Sequence, residues 1–208
     1  MKSSPRNLLT SSKHQTGFGM VEVLVSLVIL LIGLLGLAGL MMHGQRAEME
    51  SYQRVQALVL LQDMVGRINA NRKVASCYVL AGTTYLGTSK TASTTSGCGG
   101  TSANQNARVD LDLAAWDALL QGASEGGAGA MVGARGCIRY NAASETVNPT
   151  TGVAIAGTGI YTIEVAWQGL GKTFANTTSL CAQNLYDSDS SDLQRRVVPL
   201  TFRIASMT

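Results

Sequence analysis

A long uninterrupted apolar run occupies the first third of the chain. Residues 23–42 read VLVSLVILLIGLLGLAGLMM, without a charged side chain and with Ser26 carrying the only hydroxyl. At about 1.5 Å rise per residue, a helix of this length covers roughly 30 Å, the thickness of the hydrocarbon core of a bilayer. The pattern therefore predicts one membrane-spanning helix.

A second helical pattern follows directly. Residues 43–72 are rich in Gln, Glu, Arg, Ala and Leu and contain no proline. Apolar side chains recur there at steps of three and four, the period of an amphipathic helix. They are Leu58, Leu61, Val65 and Ile68, flanked by Val55 and Met64. We expect one helix from Phe18 to about Arg72, with a membrane half at 18–42 and an amphipathic half at 43–72 that packs on a globular head, in a lollipop shape.

Charges on the two sides of the span predict its orientation. Lys2, Arg6, Lys13 and His14 precede it without any acidic residue, whereas the arginines that follow it are offset by Glu48 and Glu50. Because basic segments stay in the cytoplasm, the amino end is expected inside and the head in the periplasm or outside the cell.

Glu22 breaks the apolar pattern at the edge of the span. Insertion scales give a cost of about 2.5–3.5 kcal/mol for an acid deep in the bilayer. A cut between Gly17 and Phe18 would create an amino group about one helical turn from this carboxylate. That opposite charge would offset much of the desolvation cost.

The sequence GFGMVE at 17–22, followed by an apolar helix, resembles the class III signal of type IV prepilins and pseudopilins. In that family a membrane peptidase cuts after the glycine and methylates the new amino terminus. The resemblance implies a cleaved leader at 1–17, cleavage between Gly17 and Phe18, methylation of Phe18, and a subunit-docking role for Glu22. Residues 15–75, with QRAEMESYQRVQAL and INANR after the span, look like the PilV family of minor pilins, the type IV pilus modification proteins.

The resemblance implies a structural function. A minor pilin would prime pilus assembly in a complex at the filament tip and support twitching motility and adhesion. Its partners would be prepilin peptidase, the other minor pilins, the major pilin, the inner membrane and the pilus assembly machinery. The alternatives are a minor pseudopilin of a type II secretion system, a signal-anchored periplasmic enzyme or binding protein, and a secretory signal peptide cleaved near Gly36-Leu37-Ala38.

Three glycines recur every third residue within the predicted span, at Gly33, Gly36 and Gly39. Each lowers helix stability by about 1 kcal/mol relative to alanine. Small residues allow close helix packing in lipid. Structures of related filaments imply a second role, local melting when the subunit leaves the membrane. Both interpretations stay open.

The head, residues 73–208, combines polar tracts with short regular elements. Residues 82–107, 122–136 and 176–192 have loop composition, rich in Gly, Ser and Thr or in other polar residues. A short helix is predicted over 110–120, with Asp110 or Asp112 as its cap and Leu113, Trp116, Leu119 and Leu120 on one side. Strands are predicted at 137–140, at 160–168 (Tyr161, Ile163, Val165 and Trp167 on one face) and at 198–204 (Val198, Leu200, Phe202 and Ile204). Pro199 places the last strand at an edge. A long helix on an antiparallel sheet gives an α+β fold, which is also the pilin fold.

Four cysteines lie in the predicted head, at Cys77, Cys98, Cys137 and Cys181. They form no C-x-x-C pair and have no histidine nearby, which argues against zinc. In an oxidising compartment four cysteines favour two disulfides, for which three connectivities exist. We prefer Cys77–Cys98 with Cys137–Cys181, because each bond then ties one polar tract to the core.

Charge and composition exclude several function classes. The net charge is +3, from 16 basic and 13 acidic side chains, and removal of residues 1–17 with their three basic side chains leaves no net charge. Nucleic acid is therefore not an expected partner. Asp110, Asp112 and Asp117 are interpreted as a helix cap and a solvated face, and Arg195-Arg196 as a surface pair. Asp187, Asp189 and Asp192 lack the Gly and closing Glu of an EF-hand and are interpreted as a solvated loop. We expect no metal, no cofactor, no small-molecule substrate and no enzymatic activity.

Overall fold

The computed structural model describes residues 19–95, 98, 102–126 and 131–205. These residues form two compact units, which are divided in sequence between Gln45 and Arg46. The sheet and the other elements of the predicted head all belong to the second unit. The leader and Phe18 lie outside the described residues.

Helix α1 spans Met20–Ala70 and confirms the long helix predicted from the two adjacent patterns. It ends two residues before the predicted end, and a 3-10 helix over Arg72–Tyr78 follows it. The chain turns at Asn71, whose backbone N–H donates to the Arg67 carbonyl at 3.2 Å.

Within the described residues, four antiparallel strands complete the α+β fold in the order β1-β2-β3-β4. They are β1 (Leu86–Gly87), β2 (Val132–Asn141), β3 (Ile160–Gln168) and β4 (Arg195–Arg203). β3 confirms the predicted alternation, since Tyr161, Ile163, Val165 and Trp167 are all buried in the main core. β4 lies at one edge of the described sheet, as predicted from Pro199, which pairs with Glu164 of β3. Ile204 follows the end of β4 and is nevertheless buried.

The rotation of α1 against this sheet corrects the predicted stripe. The buried positions in its second half are Gln53, Ala57, Leu60, Leu61, Met64 and Ile68. Val55 is 56% exposed and Leu58 37%, so their assignment to the buried side was wrong. This part of α1 carries apolar side chains on all its sides, and two indole N–H groups bond to the side that packs. That of Trp167 donates to the Gln53 side-chain oxygen at 3.1 Å, and that of Trp116 to the Leu60 carbonyl at 3.0 Å.

Helix α2 spans Ala103–Leu120 and is longer than the predicted helix over 110–120. Ser102, not Asp110 or Asp112, is the N-cap: its hydroxyl accepts from the Gln105 N–H at 3.3 Å, and the Gln105 side chain accepts from the Ser102 N–H at 3.2 Å. This reciprocal pair is a capping box. The loop assigned to 82–107 was therefore wrong for its last five residues, and it was also wrong for Leu86 and Gly87, which form the buried strand β1.

Strand β2 starts at Val132, five residues before the predicted strand, so residues 132–136 do not belong to a connecting tract. Gly133 and Gly136 weaken the strand pattern in the sequence. Packing explains Gly136, because a Cβ built there would lie 2.3 Å from the Trp116 ring and 2.7 Å from Leu120. The glycine lets α2 approach the sheet.

We expect Gly136→Ala to destabilise the protein by about 1–3 kcal/mol, because the new methyl group overlaps the Trp116 ring in a filled core. Gly66→Ala is the matched control, for which we expect the free energy of unfolding to change in the opposite direction. Gly66 lies inside α1 with no atom within 4 Å of an added Cβ, so alanine is expected to stabilise by about 0.5–1 kcal/mol. Urea unfolding of both variants in detergent micelles measures the two shifts. A neutral Gly136→Ala would contradict the packing argument.

Both disulfides have the pairing that we preferred from the sequence. Cys77, in the 3-10 helix, bonds to Cys98 in the loop before α2. Cys137, in β2, bonds to Cys181 in the third polar tract. Around the second bond lies a small cluster of buried side chains apart from the main core: Tyr85, Cys137, Ala166, Cys181, Ala182 and Tyr186.

Candidate functional site

The first half of α1 exposes its apolar side chains on every side. Between Val23 and Met42 the large apolar residues are 43–73% exposed. By length and composition, α1 is long and apolar enough to cross a membrane. A continuous exposed apolar surface of this kind marks an interaction with lipid or with other protein surfaces.

Glu22 lies in the first turn of α1, and its backbone N–H donates to the Gly19 carbonyl at 2.9 Å. Its side chain is exposed. None of the cationic side chains in the described ranges forms an ion pair with it. The predicted partner, the amino group of Phe18, and the cleavage position after Gly17 fall outside the described residues. The pairing therefore stays a prediction.

Gly33, Gly36 and Gly39 all lie in α1, and an added Cβ at each would have no atom within 4 Å. These positions are open for contact with another helix. The structure does not distinguish helix packing from local melting, and both roles stay predictions.

Two family models match adjacent parts of the chain. Residues 12–38 match the prokaryotic N-terminal methylation motif, a range that contains Gly17, Phe18 and Glu22. Residues 40–117 match the family described as Type IV pilin Tt1218. Together the two matches support a type IV pilin-like protein. No curated protein and no solved structure matches it significantly.

The match has direct consequences for the biology of this pilin. The methylation motif implies processing by prepilin peptidase and assembly with other pilins. The exposed apolar helix fits anchoring in a membrane, followed by incorporation into a pilus. Pilin families consist of structural proteins rather than enzymes.

In the pilin head, Asp112 joins three elements. It is 2% exposed, so its assignment to a solvated face was wrong. Its carboxylate accepts from the Tyr78 hydroxyl at 2.7 Å and from Arg67 and Arg108 at 3.2 Å each. Burial, together with the hydrogen bond to Asp112, raises the pKa of the Tyr78 hydroxyl. The group ties the end of α1 and the 3-10 helix to α2.

Asp117, only 5% exposed, was also wrongly placed on a solvated face. It accepts from the Gly87 N–H at 2.8 Å, from Lys90 at 2.7 Å and from the Gln121 amide at 3.0 Å. These contacts connect α2 to β1, to the residues that follow β1 and to the end of α2 itself, so Asp117 has a structural role in the fold.

The acidic residues of the third polar tract also serve the fold. Asp192 is 5% exposed, and one of its oxygens lies 3.0 Å from the Arg195 guanidinium. The prediction of a solvated side chain was wrong for Asp192, as was that of a surface position for Arg195, which is 1% exposed and donates to the Ser179 and Cys181 carbonyls at 3.1 Å. Within the described residues, no three His, Cys, Asp or Glu side chains are grouped so as to hold a metal ion.

The other two acids of this tract differ in their exposure, since Asp187 is partly buried and Asp189 is exposed. Asp189 is on the surface, where hydrogen bonds from Ser191 and the neighbouring Lys172 lower its pKa to about 2. Asp187 accepts from the Gln194 N–H at 2.9 Å. The carboxylate oxygens of Asp187 and Asp189 therefore accept hydrogen bonds from other residues of the chain.

A cation between two aromatic rings stabilises the small cluster around the Cys137–Cys181 bond. The Arg135 guanidinium carbon lies 4.9 Å from the Tyr186 ring centre and 5.3 Å from that of Tyr85. The Tyr186 hydroxyl donates to the Gly133 carbonyl at 3.0 Å, and burial raises its pKa to about 12. Sequence reasoning missed this group because its rings come from segments far apart in the chain.

Proposed function

We propose that this protein is a minor pilin of a type IV pilus. It is cut after Gly17, methylated at Phe18, and held in the inner membrane with its amino end in the cytoplasm and its head in the periplasm. It then joins a complex of minor pilins at the filament tip that primes assembly and supports twitching motility and adhesion. The observation that carries the proposal is that the methylation motif coincides with the start of a helix exposed on all sides.

The proposed mechanism is physical rather than chemical. The apolar half of α1 leaves the lipid for a bundle of like helices, and this exchange has a small net cost because lipid tails and apolar side chains are similar environments. Glu22 then pairs with the Phe18 amino group of a neighbouring pilin. An ion pair in a medium of low dielectric is strong and distance-dependent, so it sets the stagger between subunits.

The nearest alternative is a minor pseudopilin of a type II secretion system, which would use the same anchor. The match of residues 40–117 to a type IV pilin model favours the pilus. A deletion strain separates the two: the proposal expects loss of twitching with normal secretion, and the reverse phenotype would support the pseudopilin.

Mass spectrometry of the mature protein tests the processing step. We expect the chain to begin at an N-methylated Phe18. A Gly17→Val variant provides the matched control and is expected to keep its first 17 residues, since the bulkier side chain replaces the glycine of the motif. A wild-type protein that retains residues 1–17 in cells would contradict the proposal, because Glu22 would then lack its cation.

A further inference from the structure

A cavity of about 610 Å³ opens at the end of the head where α1 finishes. The 3-10 helix after α1 forms one wall, and the others come from the adjoining ends of β2, β3 and β4 and from the connection between β2 and β3. The volume lies within the range of about 300–1,000 Å³ that is typical of small-molecule sites. Its apolar lining comes mainly from Ala75, Ala156, Tyr161 and Ile204.

Two consecutive cations line one wall, Arg72 and Lys73. Both side chains are exposed. In the part of the chain that the structure describes, neither forms an ion pair or a hydrogen bond with another side chain. Most other cations of the described head are paired, as Arg67, Lys90 and Arg195 are. The two charges are therefore available to an anionic group in the cavity.

The wall formed by the connection between β2 and β3 contributes a carboxylate, Glu145. Its Oε1 accepts from the Tyr140 hydroxyl and from the Gly157 N–H, the latter at 2.9 Å. The hydrogen bond from Tyr140, followed by that from Gly157, lowers the pKa of this carboxyl. Its other oxygen, Oε2, makes no hydrogen bond with a described residue. The wall thus offers an acceptor, and it repels ligands that carry several negative charges.

We propose that this cavity binds a sugar acid, a ring with one carboxylate and several hydroxyl groups. The carboxylate pairs with Arg72 and Lys73, a ring hydroxyl donates to Glu145 Oε2, and the apolar ring face lies against the apolar lining. A simple anion would leave the Glu145 acceptor without a donor, and a neutral sugar would leave both cations unpaired. The site binds without reaction, and the inference does not depend on the role of the chain in a pilus.

Calorimetric titration of the full chain in detergent micelles tests the ligand class. We expect saturable binding of galacturonate, and binding at least tenfold weaker for galactose, inorganic phosphate and serine. A free monosaccharide and an acidic polysaccharide would both present the same carboxylate and hydroxyl groups. A further titration with an oligogalacturonide distinguishes these two natural sources. Galactose, phosphate or serine binding as tightly as galacturonate, or no binding to the folded protein, would overturn the proposal.

Two single variants place the binding at this cavity. Arg72→Gln and Lys73→Gln are each expected to weaken galacturonate binding about tenfold, because each removes one charge-assisted hydrogen bond. Lys172→Gln is the matched control, since it removes a surface cation outside the cavity and is expected to leave the affinity unchanged. The Arg72 and Lys73 side chains are exposed, so we expect both variants to fold. Their melting curves check this expectation. Unchanged affinity in both variants would overturn the assignment of the cavity.

Discussion

Glu22→Ala is expected to leave cleavage after Gly17 intact and to lower incorporation of the protein into pili at least about tenfold, since removal of one partner of a buried ion pair is strongly destabilising. The expected cleavage position precedes α1, whereas the Glu22 carboxylate lies in the first turn of that helix. In an assembled bundle, alanine would leave the amino group of a neighbouring pilin without its counter-charge. The measurement is the ratio of protein in sheared pili to protein in membranes, together with twitching.

Two further variants separate charge from position on the helix. Glu22→Gln keeps the size and polarity of the side chain but not its charge, so it is expected to fail as alanine does. Glu48→Ala removes an exposed acid from the same helix beyond the span and is expected to assemble normally. Normal piliation with Glu22→Ala, or equal defects with Glu22→Ala and Glu48→Ala, would contradict the docking role.

The elements that sequence reasoning found are those with a strong local pattern. The long apolar run and the polar helix after it have one continuous helical backbone, α1. The alternation in β3 and in most of β4 is clear because one side of each strand faces the main core. The preferred disulfide pairing followed from the position of the polar tracts.

The buried acids could not be recognised from the sequence because their partners are distant in the chain. Asp112 binds Arg67, 45 residues earlier, and Asp117 binds Lys90, 27 residues earlier. On the helix alone, both look like ordinary polar positions. The cavity has the same origin, since Arg72 and Glu145 are 73 residues apart in the chain and line one cavity only in the folded head.

Other misses had a local pattern that was available. Ser102 and Gln105 have the spacing of a capping box, and this would have placed the start of α2 correctly. The side of α1 that packs on the sheet had no such local signal, because apolar residues occupy both sides of the second half of this helix. Tyr52, Val55 and Val59 are each more than half exposed. The contacts that fix the rotation are made by residues far along the chain, among them the indole hydrogen bonds to Gln53 and Leu60.

Replacement of Cys137 and Cys181 by alanine is expected to lower the free energy of unfolding by about 4 kcal/mol, the chain-entropy value for a loop closed at the sequence separation of 44. The bond also joins two buried members of the small cluster that surrounds it. Both cysteines are completely buried there, and the Cys181 carbonyl accepts from the buried Arg195 at 3.1 Å. Alanine avoids burying a new hydroxyl group. Urea unfolding in detergent micelles measures the loss, and limited proteolysis should first cut within 176–192.

The Cys77–Cys98 pair is the matched control, since it closes a loop at a separation of 21 and is expected to contribute about 3 kcal/mol. Its removal should loosen the loop before α2 and leave the segment 176–192 protected from proteolysis. Suppose that removal of Cys77–Cys98 lowers the free energy of unfolding more than removal of Cys137–Cys181. Neither loop length nor the small cluster around the Cys137–Cys181 bond would then determine the contribution of that bond. Equal early cleavage in 176–192 in both variants would show that this segment is held by its other contacts, of which the Asp192–Arg195 pair is the most buried.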